Sequence, residues 1–145
     1  MRRGLSPDDL GDLFELPLAA VLSLAKPDGT VFSRPVWHRW ESSRFVVQFP
    51  AGDRKIAMLQ RDDRLTVLLA EPAFPYRGVE VRGRARMSRD HYLERGIDIC
   101  RRYVEAYDPE TPVESYLSSE PGVIVEIDAD VMHCWDYADD DMMPS

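Results

Sequence analysis

Gly52-Asp53-Arg54-Lys55 sets two cations at the opening of a short helix, directly after the strand end Phe49-Pro50-Ala51. The first N–H groups of a helix have no partner within it, and its dipole favours negative charge there. The cluster therefore suits a phosphate or a carboxylate. It reads equally as a solvated basic face with Asp53 as the N-cap, and spacing alone leaves both readings open. His38 lies on a strand between Trp37 and Trp40, where an imidazole either lines a pocket as a proton donor or belongs to the core. His91 and His133 lie far from it in sequence and show no metal-ligand spacing, so no metal site is expected. Trp37, Trp40, Tyr76, Trp135 and Tyr137 offer faces for stacking on a flat ring system or for packing among themselves. A serine nucleophile elbow, a phosphate-binding glycine loop and a dinucleotide fingerprint are absent from the sequence.

The charge distribution points to the same region. The net charge is −8, yet residues 52–102 carry twelve Lys or Arg against eight acids, while residues 103–145 carry twelve acids and no Lys or Arg. The middle of the chain is where an anion would bind. An acidic protein is a poor ligand for nucleic acid, whose affinity rests on phosphate neutralisation, so no nucleic-acid partner is expected. Cys100 and Cys134 are too few for a disulfide framework, which fits a reduced, cytoplasmic setting. The apolar stretch near the start is too short to span a bilayer, so no membrane partner is expected either. With 145 residues, 44% of them hydrophobic, residues 1–145 read as one domain, its acidic tail from about Asp139 loosely held.

The elements that must position these residues are short. Ser6-Pro7-Asp8-Asp9 starts a helix to about Phe14. Ala19–Ala25, Val31–Trp40 and Arg44–Phe49, separated by the turns Lys26-Pro27-Asp28-Gly29 and Glu41-Ser42-Ser43, predict a three-stranded meander. A helix over Asp53–Arg61 and a strand over Leu65–Ala70 follow. Val79–Met87 alternates cleanly, with Val79, Val81, Gly83, Ala85 and Met87 on one face and Glu80, Arg82, Arg84 and Arg86 on the other. Ser88 caps a helix to about Tyr107 whose stripe is Leu93, Ile97, Cys100, Val104 and Tyr107. Thr111–Glu114 starts a short helical piece, and Val123–Asp128 is the sixth strand. This is a mainly β fold with α: a six-stranded antiparallel barrel with flanking helices.

Phe49, Asp53-Arg54-Lys55, Leu59, Asp62-Asp63-Arg64 and Val67-Leu68-Leu69 resemble the phosphate-binding segment of the pyridoxamine 5'-phosphate oxidase-like split β-barrels. Ala20–Leu24, Pro27-Asp28-Gly29 and Ser33–Trp37 resemble the opening strands of their deazaflavin-dependent branch, and Pro75–Ala85 and Cys134–Tyr137 are similar as well. The resemblance implies a homodimer with a cofactor, coenzyme F-420 (a deazaflavin) or alternatively FMN, across the subunit interface. Arg54 and Lys55 would hold the phosphate, with Arg61 as a further cation. The ring would lie along Ser33, Arg34, Pro35, Val36 and Trp37 and along Gln48 and Phe49. The activity implied is hydride transfer to a small-molecule, electron-poor substrate, with His38 or Tyr76 as proton donor. A flavoprotein using FMN, or a non-catalytic flavin or haem carrier, are the alternatives. Ala57 and Met58 stand where the deazaflavin branch usually carries arginine and asparagine. Nothing after Arg102 is Lys or Arg, unlike the arginine-containing ending of true pyridoxamine-phosphate oxidases, so that particular reaction is not implied.

Overall fold

The computed structural model describes residues 4–138; the tail expectation from Asp139 onward lies outside the described residues. Seven strands form one antiparallel sheet: β1 (Ala20–Ala25), β2 (Val31–Val36), β3 (Arg39–Glu41), β4 (Arg44–Pro50), β5 (Arg64–Ala70), β6 (Gly78–Ser88) and β7 (Gly122–Trp135). Their order is β2-β1-β5-β6-β7-β4-β3. The two outermost strands, β2 and β3, are consecutive in the chain and joined only by Trp37-His38, a link that reaches at most about 11 Å. The sheet must curl until its edges meet at that corner, which makes a barrel split between β2 and β3.

This corrects two expectations. Val31–Trp40 is not one strand, because the chain leaves the ladder after Val36: β2 pairs with β1, and the new strand β3 pairs with β4. The expected meander is thus divided between opposite edges, and six strands become seven. The last strand also runs well past Asp128, since β7 keeps pace with β6 from Ser88↔Ile124 to Gly78↔Trp135 across one register shift at Arg82/Gly83. At that shift Gly83 faces the Asp128 carbonyl so closely that a Cβ would overlap it.

The helix α1 (Arg54–Arg61) begins where expected, with the Asp53 carboxylate accepting from the Lys55 N–H at 2.8 Å, and it buries Ile56 and Leu59 in the barrel core. The second helix, α2 (Tyr92–Tyr107), starts four residues later than Ser88. His91 is its N-cap in the left-handed region, while Ser88 Oγ accepts from the Asp90 N–H in the preceding turn. Its buried stripe is Gly96, Ile99, Cys100, Tyr103 and Val104; Leu93 and Tyr107 are exposed. The N-terminal helix is instead two 3-10 turns, Pro7–Leu10 and Leu13–Glu15, broken at Gly11 with φ 60°. A third 3-10 turn, Val113–Tyr116, precedes β7. No helix among the described residues is long and apolar enough to cross a membrane.

Candidate functional site

A cleft of about 470 Å³ opens between the ends of β2 and β4, the first half of α2 and the segment leading into β7. Pro35 and Val36, the last residues of β2, form one wall with Trp37 of the link; Gln48 and Phe49 of β4 and Lys55 of α1 form another. Trp37 is held face to face on Tyr103, with ring centres 4.8 Å apart and planes 3° apart, and is tilted against Tyr116 at 5.5 Å. The Gln48 amide donates to the Tyr92 carbonyl at 2.8 Å and occupies a slot between Gly96 and Gly122, where a Cβ at either position would overlap it. Ile99 and Cys100 complete the apolar lining from α2. Burial pushes the Cys100 thiol up from its ordinary pKa, so the thiol stays protonated near neutrality.

The cations near the cleft fall into two groups. Lys55, with its side chain 15% exposed, lies 3.2 Å from Asp53 and 4.6 Å from the centre of the Phe49 ring. Arg34 and Arg54 come from different elements and stack on one ring, Phe32, at 4.0 and 4.7 Å. Among the described residues neither has a carboxylate partner; Arg34 donates only to the Ser33 carbonyl at 2.8 Å. Their chain neighbours Pro35 and Lys55 line the cleft, while neither guanidinium is in its lining. Arg61 follows Arg54 by seven residues, on the same face of α1 and about 10 Å further along the axis. Ser33 points the other way, its Oγ 2.8 Å from Ser23 Oγ. One carboxylate also borders this end: Glu120, which accepts from the Gly52 N–H at 3.1 Å.

Residues 7–136 match the family model described as pyridoxamine 5'-phosphate oxidase. The chain belongs to this family. Among solved structures it is similar to a conserved hypothetical protein from Mycobacterium tuberculosis (TM-score 0.77, 22% identity, covering 99% of this chain and 92% of that one). It is also similar to an F-420 reductase (TM-score 0.68, 21% identity, 88% and 98% covered) and to an FAD-binding protein from Mesorhizobium loti (TM-score 0.64, 20% identity, 90% and 94% covered). Comparison with curated proteins gives no match.

On this pyridoxamine 5'-phosphate oxidase-like barrel, six of the ten expected binding residues meet in the cleft: Pro35, Val36, Trp37, Gln48, Phe49 and Lys55. Arg34 and Arg54, which share the Phe32 ring, are not in its lining, and neither are Ser33 and Arg61. Neither expected proton donor is there. His38 is fully buried, T-shaped against Phe45, and neither ring nitrogen makes a hydrogen bond. Burial and then the Arg102 charge, against the opposing Leu18 carbonyl, lower its pKa to about 3. Enclosed and neutral, it cannot reach a substrate in the cleft. Tyr76 packs on Phe74 and Tyr137 beside the Gly78–Trp135 end of the β6–β7 ladder. Gly122, at the cleft, is the opposite end of β7, about 40 Å away along the strand. Sequence reasoning missed Tyr92, Tyr116, Glu120 and the glycine slot. The pair Gly96 and Gly122 is a signal only once Gln48 is known to lie between them. No group of His, Cys, Asp and Glu among the described residues is arranged to hold a metal.

Proposed function

We propose that this chain is an oxidoreductase that binds a phosphorylated deazaflavin, coenzyme F-420, with the ring between Trp37 and Phe49 and the phosphate toward Arg34 and Arg54. One observation carries the reading: a cleft with aromatic and apolar walls is lined by Lys55, and next to Lys55 in the chain Arg54 shares the Phe32 ring with Arg34, neither guanidinium having a carboxylate partner among the described residues. Such an arrangement suits a flat ring carrying an anionic tail. When bound, the deazaflavin supplies hydride transfer to or from a small electron-poor substrate. The chain's own residues hold and orient. Trp37 is fixed by its stack on Tyr103, Val36 and Ile99 keep water from the cleft floor, and Lys55 is held by Asp53 over Phe49.

The proposal includes a homodimer. Val31, Val21 and Leu68 stay exposed on the outward face of β2, β1 and β5, where Val21 lies directly opposite Leu68, and a second copy would cover them. FMN is the second reading, favoured by one feature. Ala57, exposed one turn after Arg54, leaves that face of α1 a cation short of the usual deazaflavin pattern, and a single phosphate needs fewer. The test is the absorbance spectrum of the protein purified from a host that makes both cofactors. A co-purifying deazaflavin spectrum supports the proposal, a flavin spectrum supports FMN, and a colourless protein that takes up neither on soaking contradicts both.

A further inference from the structure

Tyr103 is the largest fully buried side chain among the described residues, and its hydroxyl ties three segments together. It donates to the Leu18 carbonyl at 2.8 Å, just ahead of β1, and accepts from the His38 N–H at 3.0 Å, in the link between β2 and β3. It also accepts from Arg102 Nη2 at 3.1 Å, and Arg102 in turn donates to the Phe14 carbonyl at 2.8 Å. The link is the corner where the barrel is split: neither Trp37 nor His38 belongs to a strand, so no sheet ladder fixes the backbone there. The same tyrosine ring is the platform on which Trp37 lies flat.

We infer that Tyr103 is a positioning residue for the cleft: its hydroxyl pins the β2–β3 link and its ring holds the Trp37 indole as the wall that receives the flat ligand. The ligand half of this inference rests on the proposed function; the hold on Trp37 does not. A buried hydroxyl that satisfies one N–H and one C=O from two distant segments leaves both unpaired when removed. Tyr103→Phe keeps the stacking ring and deletes only that bond set, which releases the link while the platform remains.

Fluorine NMR of protein labelled with 5-fluorotryptophan reads the hold without any ligand. In Tyr103→Phe the Trp37 resonance, identified through Trp37→Leu, should shift and broaden while those of Trp40 and Trp135 stay put. A Trp37 resonance unchanged in Tyr103→Phe overturns the inference. Should that variant not fold, amide exchange of the wild-type chain decides: a His38 N–H as slow as those of β4 and β7 supports the pin, and one as fast as exposed loops overturns it. With FMN as probe, Tyr103→Phe should weaken binding about tenfold in the wild-type background and leave it unchanged in the Trp37→Leu background, because it acts through Trp37. An equal loss in both backgrounds overturns the positioning role. If the wild type binds no FMN and no coenzyme F-420, the proposed function and the ligand half fall together, whereas the fluorine result still decides the hold on Trp37.

Discussion

Arg34 of β2 and Arg54 of α1 meet on a single ring, their guanidinium carbons 4.0 and 4.7 Å from the centre of Phe32. Among the described residues no carboxylate pairs with either; two like charges so gathered repel each other, and an anion between them removes that cost. Substitution should therefore act in opposite directions on the free and the liganded protein. Arg34→Gln and Arg54→Gln should leave the free protein as stable as the wild type or slightly more so. Each should weaken FMN binding about tenfold, since a charge-assisted contact to phosphate contributes roughly 1.5–3 kcal/mol. Riboflavin, which lacks the phosphate, should bind both variants like the wild type. Titration of the two ligands side by side checks this, and a parallel loss for both would move the phosphate elsewhere.

The slot around Gln48 gives a second prediction. A methyl group at Gly96 or Gly122 would overlap the Gln48 amide, so Gly122→Ala should cost about 1–3 kcal/mol through forced repacking. The double variant Gly122→Ala, Gln48→Ala should recover most of that loss. Urea denaturation of these two variants, Gln48→Ala and the wild type measures it, and additive losses would show that the glycine serves its backbone rather than its neighbour.

The pH dependence follows from His38. Its folded pKa is lowered to about 3 from an ordinary 6.5. Between those values the unfolded chain holds a proton that the folded chain does not. Stability is therefore greatest above about pH 6.5 and falls as the pH drops toward 3, by about 1.4 kcal/mol per unit from this group alone. His38→Phe removes the titration and, because neither ring nitrogen is hydrogen-bonded, strands no partner. Its melting temperature should decline less steeply than the wild type's between pH 6.5 and 4.5. Parallel curves would assign the acid sensitivity to other groups.

Arg77 tests whether the two ends of the barrel act separately. Its guanidinium bonds Glu71 at 2.6 Å, Asp12 at 2.8 Å and the Leu10 carbonyl at 2.8 Å, with the side chain 19% exposed. Arg77→Met should lower stability by about 2–3 kcal/mol, because Glu71 and a backbone acceptor lose a charged donor. FMN affinity at 25 °C, where the variant is still folded, should not change. A matching loss of affinity would mean that the far end of the barrel shapes the cleft.

Much of this architecture was legible because local signals agreed with the fold. The alternation of Val79–Met87 and the Asp53 cap of α1 are satisfied within a few residues, and both elements stand where the sequence places them. The β2–β3 break was not legible, because Trp37 continues the apolar run of β2 while its real support, Tyr103, lies 66 residues away. The stripe of α2 was misphased for a related reason: Leu93 and Tyr107 are apolar yet sit at the exposed ends of the helix, and Gly96 counts as no hydrophobic residue although it faces Gln48. The continuation of β7 was hidden by Asp128 and Asp130, whose carboxylates are drawn to Arg44, Arg86 and Arg84 on neighbouring strands. At the site, the strand-borne wall residues could be read from the chain. The pairing of Arg34 with Arg54 could not, since only the folded sheet brings β2 beside α1.

The most direct test of the central claim is equilibrium titration of the purified chain with coenzyme F-420 and with FMN, followed by ligand fluorescence, in the wild type and in an Arg34→Gln, Arg54→Gln double variant. The wild type should bind a phosphorylated deazaflavin or flavin saturably at one site per chain, with at least a tenfold loss in the double variant. Absence of binding to both ligands, or binding that the double variant retains in full, would contradict it.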